Sequence, residues 1–105
     1  MIRYAFKMKL TSGNIVEYKK RHDEIWPELV ELLSNAGISD YSIFYDEETQ
    51  ILFGYLKLTD DHTSSDLPKH PIMQKWWDYM NDGIMAYDDN NIPIVHDLKE
   101  VFHMD

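Results

Sequence analysis

The order of residues predicts an α+β fold in which helices cover one face of an antiparallel sheet. Residues 2–10 alternate apolar side chains with polar or small ones, which is typical of a half-buried strand. Two apolar segments, residues 41–45 and 51–58, flank the acidic stretch 46–49, and this pattern predicts a hairpin. Because helical segments lie before and after the hairpin, we expect a ferredoxin-like sandwich.

The first helix is predicted to begin at Ile15, with Asn14 as its cap, and to end near residues 23–24. Ile15, Tyr18 and His22 are spaced so that they share one helical face, and we expect this face to meet the core. The other side chains of this helix should point away from the core: Glu17, Lys19, Lys20 and Arg21.

Two prolines mark the starts of the other helices. Pro27 disfavours helix at Trp26 and suits the first turn of a second helix, which Gly37 should end. Pro71 opens a third helix in the same way. The expected apolar stripes are Leu29, Leu32, Leu33 and Ala36 in the second helix, and Ile72, Met73, Trp76, Trp77 and Met80 in the third.

The remaining segments carry weaker patterns. Residues 11–14 have turn chemistry, residues 60–70 are compatible with a short helix, and residues 81–96 are predicted to be a polar loop. Residues 98–103 are expected to form the last short strand. With helices on one face only, the other face of so small a sheet would expose apolar surface, which favours a symmetric dimer with sheets packed together.

The composition restricts the possible partners. A net charge of −9 opposes binding to nucleic acid or to an anionic membrane, and it is compatible with a neutral ligand. The 105 residues suffice for one domain, residues 1–105, and no apolar run is long enough for a membrane span. The charged N-terminus does not fit a signal peptide and cysteine is absent, so a cytoplasmic location is expected.

Several common catalytic motifs are absent from the sequence: a Gly-rich phosphate loop, a Gly-x-Ser-x-Gly elbow and His-Glu-x-x-His. The five histidines include no pair three or four residues apart, so no metal site is expected. His22 is the most informative titratable residue, because imidazole exchanges protons near neutral pH and Tyr18 lies one turn away. The alternative is a structural histidine satisfied by a backbone carbonyl.

Aromatic residues form a second candidate feature. Adjacent residues on a helix point about 100° apart, so one of Trp76 and Trp77 can pack in the core while the other flanks a pocket. An aromatic plane beside polar groups suits the apolar faces and hydroxyl edges of a sugar ring. Tyr41 should face the same side of the sheet as Ile43 and Tyr45. A structural role in the core is the alternative for these aromatic residues.

Two segments resemble the motifs of a known family. Residues 21–29, RHDEIWPEL, and residues 74–80, QKWWDYM, are similar to the motifs of the L-rhamnose mutarotases. The opening strand, Tyr41 and the tail residues 98–102 also fit that family in order and spacing, so the resemblance covers essentially the whole chain. Residues 60–68 and 81–85 depart from the family pattern.

The resemblance implies a ferredoxin-like subunit, a homodimer joined as a dimeric α/β barrel, and interconversion of the α and β anomers of L-rhamnose. It implies His22 as the proton donor and four sugar-binding residues: Tyr18, Tyr41, Trp76 and Trp77. The exchange itself requires no cofactor. Two rival functions suit the same fold, a small monooxygenase and a non-catalytic ligand-binding module. Oxygen consumption or a visible spectrum would identify the first, and unaccelerated anomer exchange the second.

Overall fold

The computed structural model describes residues 1–11, 14–81, 87–89 and 91–105. The strands and α-helices of these residues, in chain order, are β1 (Ile2–Lys9), α1 (Ile15–Asp23), α2 (Pro27–Asn35), β2 (Ile38–Asp46), β3 (Ile51–Leu58), α3 (Pro71–Met80) and β4 (His96–Asp97). A 3-10 helix at Ser64–Lys69 precedes α3, within the segment predicted to be compatible with a short helix. Among the described helices, none is long and apolar enough to cross a membrane.

The sheet is antiparallel with the strand order β2-β3-β1-β4, which is the order of a ferredoxin-like sandwich. In the pairing of β1 with β3, Phe6 lies opposite Gly54 and Met8 lies opposite Leu52. Since alternate residues of a strand share a face, the buried positions of both strands point to the side where the helices pack. The predicted fold class is therefore confirmed.

The helix boundaries follow the local signals. The Asn14 side chain accepts a hydrogen bond from the amide of Glu17 at 3.2 Å and so caps α1. Trp26 is extended, and Pro27 begins α2. Gly37 follows α2 with a φ of +96°, a conformation in which a side chain would be strained. The predicted starts and stops of the first two helices are confirmed.

The core side of the sheet is crowded around Phe6. A Cβ atom added at Gly54 would lie 2.2 Å from Cζ of the Phe6 ring, so glycine leaves the space that this ring occupies. The Phe6 ring in turn meets Tyr41 edge to face, with ring centroids 6.2 Å apart. Tyr41 therefore lies on the helix-covered face of the sheet, on the same side as Ile43 and Tyr45, and that shared side was the prediction.

The second strand begins earlier than its apolar pattern predicted. It starts at Ile38, and its pairing register shifts between Ser39 and Ser42. Asp40 has a φ of 50° within this irregularity. A bulge interrupts the alternation on which strand prediction depends, so the start of the strand was missed. Tyr41 comes directly after Asp40, so the bulge sets the direction of its side chain.

The prediction that Arg21 points away from the core is wrong. Arg21 is only 9% exposed. Its Nε atom donates to Oε1 of Glu17 at 2.9 Å, and its Nη1 atom donates to the backbone oxygen of Tyr79 at 2.7 Å. Helical spacing assigns charged side chains to solvent, but the long stem of arginine can carry its charged group to partners on another helix.

The last strand is short and lies earlier than predicted. It comprises His96–Asp97, and within the described part of the chain only the amide of Leu98 continues the pairing, donating to the oxygen of Ala5 at 2.9 Å. Farther along the tail, Arg3 and Glu100 form an ion pair at 2.7 Å. The β-rich composition of the tail predicted a strand, but a strand also requires backbone partners, which composition does not report.

The face of the sheet away from the helices keeps aromatic surface exposed. Phe44 of β2 is 67% exposed and lies opposite Phe53 of β3. In the tail, Val101 and Phe102 are 88% and 79% exposed. Exposed apolar surface of this kind is typical of an interface.

Parts of three predictions lie outside the described residues. These are the turn at residues 11–14, the loop at residues 81–96, and the departure from the family pattern at residues 81–85. The positions concerned are 12–13, 82–86 and 90.

Candidate active site

Helix α1 presents Tyr18 and His22 on one face, because residues four apart lie one turn apart. Their rings stack, with centroids 4.3 Å apart and planes inclined by 25°. Tyr18 is buried in the core, and His22 is half-buried at its margin. The predicted core-facing stripe of α1 therefore exists, and it brings a phenol and an imidazole together.

The hydrogen bonding of His22 defines the state of its ring. Its Nδ1 atom lies 3.0 Å from the backbone oxygen of Tyr18. A carbonyl oxygen only accepts, so Nδ1 carries a hydrogen and Nε2 of the neutral ring keeps its lone pair. The structural alternative for His22 thus accounts for one ring nitrogen and leaves the other for a ligand.

The surroundings of His22 favour the neutral ring. Burial lowers the pKa of His22 below its ordinary value. The Tyr18 carbonyl and the Asp23 carboxylate act in the opposite direction, and their effects are smaller. The imidazole is therefore neutral at neutral pH, with Nε2 as a proton acceptor.

Trp76 of α3 forms an aromatic wall beside His22. The two rings meet edge to face, with centroids 5.4 Å apart and planes at 86°. Trp76 also contacts Trp26 at 5.1 Å and Tyr79 at 5.8 Å between ring centroids. These contacts fix the orientation of the indole, since Trp76 is buried among them.

Tyr18 and Tyr41 contribute neutral hydroxyl groups from a helix and from the sheet. Burial raises the pKa of Tyr18, and the phenols of Tyr41 and Tyr87 contribute smaller effects in the same direction. Tyr41 is 40% exposed, yet burial of its hydroxyl end raises the pKa of Tyr41 to about 12. Both phenols are therefore uncharged at neutral pH and can donate or accept hydrogen bonds.

Trp77 occupies a different place from its neighbour Trp76. It is half-buried and lines a cleft of about 380 Å³. The other residues lining this cleft are Pro68, Gln74, Asp78, Asn91 and Ile92. Of the five residues predicted for the site, Tyr18 and His22 form the stacked pair, and Trp76 and Tyr41 lie near it. Trp77 lines this separate cleft, whose described lining includes none of the other four.

Sequence reasoning missed Tyr87 and assigned its segment to a solvated loop. The Tyr87 hydroxyl is buried and has no hydrogen-bond partner among the described residues. Its ring packs against the core cluster. A single aromatic residue within a run of Asp and Asn was the available signal, because a solvated loop has no need of one.

Together these side chains form a neutral, aromatic site between α1, α3 and the sheet. His22 can exchange a proton, and the phenols can hydrogen-bond hydroxyl groups. Across the ranges that the structure describes, no three His, Cys, Asp or Glu side chains are grouped so that they could hold a metal ion. Fold and site define a small ferredoxin-like protein with an acid–base group beside a surface for a neutral polar ligand.

The chain belongs to the L-rhamnose mutarotase family, whose model matches residues 3–104. L-rhamnose mutarotases of Sinorhizobium fredii and Jannaschia sp. are each 59% identical to it, over 99% of this chain and 99% of theirs. The crystal structure of an L-rhamnose mutarotase from Formosa agariphila is similar with a TM-score of 0.92, at 48% identity and over 100% of both chains. The family resemblance of the two sequence motifs is therefore confirmed.

Proposed function

We propose that this chain is an isomerase that interconverts the α and β anomers of L-rhamnose. Family membership over residues 3–104 supports both the reaction and the sugar. The observation that carries the mechanism is the state of His22. Its ring is neutral, its Nδ1 atom is held 3.0 Å from the Tyr18 carbonyl, and its Nε2 atom remains available.

Anomer exchange requires the bond between C1 and the ring oxygen to break and to form again. As the ring opens, the C1 hydroxyl loses a proton, the electron pair of the broken bond stays on the ring oxygen, and that oxygen gains a proton. Rotation about C1–C2 then exposes the other face of the aldehyde, and the reverse steps close the ring. A positioned acid–base group accelerates such a reaction by about 10²- to 10⁴-fold.

His22 performs the proton transfers at O1 in this proposal. Its Nε2 atom accepts the proton of the C1 hydroxyl as the ring opens, and the imidazolium returns it as the ring closes. The lowered pKa of His22 makes the imidazolium a stronger acid and so favours this return. A proton for the ring oxygen comes from the Tyr18 hydroxyl or from a water molecule bound to it.

The other predicted site residues bind the sugar in this proposal. Tyr41 supplies a hydroxyl group from the sheet and Tyr18 supplies one from helix α1, and both hydroxyl groups are neutral. Trp76 and Trp77 supply apolar planes for the C–H faces of the pyranose ring. An open-chain aldehyde can rotate against such planes, because dispersion contacts are not directional.

A homodimer is also proposed, with the exposed faces of two sheets packed together. The exposed Phe44 and Phe53 on that face, and Val101 and Phe102 in the tail, support an interface there. A second copy of the chain would remove this apolar surface from water and complete a dimeric α/β barrel.

Saturation-transfer NMR between the two anomeric protons of L-rhamnose tests the proposed activity. We expect the wild-type protein to accelerate exchange, and a His22→Ala variant to lose about 10²- to 10⁴-fold of that acceleration. His62→Ala is the matched control, since His62 lies near Gly37 and outside the site, and it should keep the wild-type rate. Equal rates for His22→Ala and wild type would refute the role of His22, and no acceleration by wild type would refute the activity.

A further inference from the structure

Tyr87 lies in a short turn of the chain after α3. Tyr87 forms a bridge with Pro93, and the amide of Asp88 donates to the oxygen of Ile92 at 2.9 Å. The amide of Ile92 donates in return to Oδ1 of Asp88 at 3.0 Å. Hydrogen bonds within this turn therefore hold the backbone on both of its sides in place.

Hydrogen bonds of the Asn91 side chain connect this turn to α3. Its side-chain amide donates to Asp78 of α3, and its side-chain oxygen accepts from Asn81 at the end of that helix. Tyr87 is thus positioned relative to the helix that carries Trp76 and Trp77. Its ring packs against the core cluster that includes Tyr18.

The hydroxyl of Tyr87 lacks a hydrogen-bond partner among the described residues. It is also buried. A buried hydroxyl without a partner is unfavourable, and native proteins rarely keep one without a reason. Other buried side-chain oxygen and nitrogen atoms in the described ranges have partners, which makes Tyr87 the exception.

The Tyr87 hydroxyl is close enough to Tyr18 and to Asp78 of the cleft to interact with both electrostatically. Burial is the main reason that the pKa of Tyr87 is raised, and the Asp78 carboxylate adds a smaller effect; the Tyr87 phenol in turn makes a small contribution to the raised pKa of Tyr18. The Tyr87 hydroxyl is therefore neutral and can both donate and accept. A sugar hydroxyl has the same dual capacity and is the matching partner.

We propose that Tyr87 is a further substrate-binding residue, whose buried hydroxyl hydrogen-bonds a hydroxyl of the sugar between Tyr18 and the cleft lined by Trp77. This inference rests on the proposed function, because it assigns another contact to the same ligand. The ligand completes the hydrogen bonding of a group that the free protein leaves unsatisfied.

A Tyr87→Phe variant tests the contact, with L-rhamnose affinity measured by calorimetric or NMR titration. We expect binding about 3- to 10-fold weaker than wild type, as for the loss of one neutral hydrogen bond. The midpoint of unfolding in urea should stay the same or rise, because the hydroxyl has no partner in the free protein. A merely structural tyrosine would show the opposite pattern, with lower stability and unchanged affinity, and would overturn the proposal.

Tyr45→Phe is the matched control. Tyr45 also lies on the helix-covered face of the sheet, but four residues along β2 from Tyr41, which is roughly 13 Å. It should bind L-rhamnose like wild type. An equal loss of affinity in both variants would mean that removal of any core phenol weakens binding, and the specific contact would be rejected.

Deoxy analogues of L-rhamnose identify the hydroxyl that Tyr87 contacts. For one of the 2-, 3- and 4-deoxy sugars, wild type and Tyr87→Phe should bind equally, because the partner of the phenol is already missing. If the variant binds every sugar as wild type does, Tyr87 has no ligand role although the activity stands. If wild type neither binds L-rhamnose nor exchanges its anomers, the proposed function fails, and this inference fails with it.

Discussion

At the scale of single residues, the pKa of His22 is set by two opposing effects. Burial disfavours the charged ring, while the Tyr18 carbonyl and Asp23 favour it, and burial is the larger effect. The carbonyl also selects the tautomer, since it keeps the hydrogen on Nδ1. The backbone of α1 thus orients the same side chain whose proton transfer is proposed for the reaction.

The lowered pKa of His22 predicts a pH dependence of both activity and stability. We expect kcat/KM to fall only below the ordinary histidine pKa of about 6.5, as Nε2 becomes protonated. The unfolded chain binds this proton more readily than the folded one. The contribution of His22 to stability is therefore present above about pH 6.5 and is lost as pH falls through the folded pKa.

Urea unfolding between about pH 7.5 and 5.5 measures this contribution. Wild type should lose more free energy of unfolding across this range than a His22→Gln variant, which has no titrating ring. The other four histidines are common to both proteins and cancel in the comparison. Parallel losses in the two proteins would contradict the lowered pKa.

At the scale of secondary-structure elements, Arg21 links α1 to α3. Its guanidinium donates to the backbone oxygen of Tyr79 at 2.7 Å and lies 4.7 Å from the centroid of the Tyr79 ring. Tyr79 contacts Trp76, which contacts His22. The relative position of the two helices, and hence of the imidazole and the indole, depends on this buried charge.

An Arg21→Gln variant should lose about 1–3 kcal/mol of unfolding free energy, since buried charge-assisted hydrogen bonds are removed. It should also exchange anomers more slowly than wild type, because Trp76 is then less firmly placed beside His22. Lys20→Gln, an exposed change on the same helix, is the control and should be near neutral. Comparable stability of the two variants in urea would refute the linking role of Arg21.

At the scale of the whole molecule, the two faces of the sheet have different surroundings. The helices bury one face, whereas Phe44 and Phe53 remain exposed to different degrees on the other. The tail follows the outer edge of β1, where the Arg3–Glu100 ion pair holds it. Its apolar residues Val101 and Phe102 project from there, so each chain carries both an open face and apolar side chains able to cover surface of this kind.

A Phe44→Glu variant tests the proposed dimer. A charge within the proposed interface would be desolvated, so we expect a shift from dimer to monomer in sedimentation equilibrium. Val16→Glu is the control, because Val16 is an exposed apolar residue of α1 on the helical layer. It should leave the dimer intact. A monomeric wild type at micromolar concentration would refute the dimer.

The sequence determined most of the elements, and it determined the family. Periodicity and prolines located β1, α1, α2 and α3, because these signals act within a few residues of the chain. Two motifs sufficed for the family, and helical spacing alone brought Tyr18 and His22 to one face. The sugar-binding and catalytic roles of the site residues remain predictions.

Only the tertiary structure decided which groups meet across the chain. Arg21 is buried where it contacts Tyr79, which lies 58 positions further along the chain. The final strand is short because, among the described residues, backbone pairing with β1 ends at Leu98. The burial of the Tyr87 hydroxyl likewise depends on the residues that surround it in the folded chain. Periodicity reports which face a side chain occupies, whereas hydrogen-bond partners, desolvation and strand pairing depend on residues that only folding brings together.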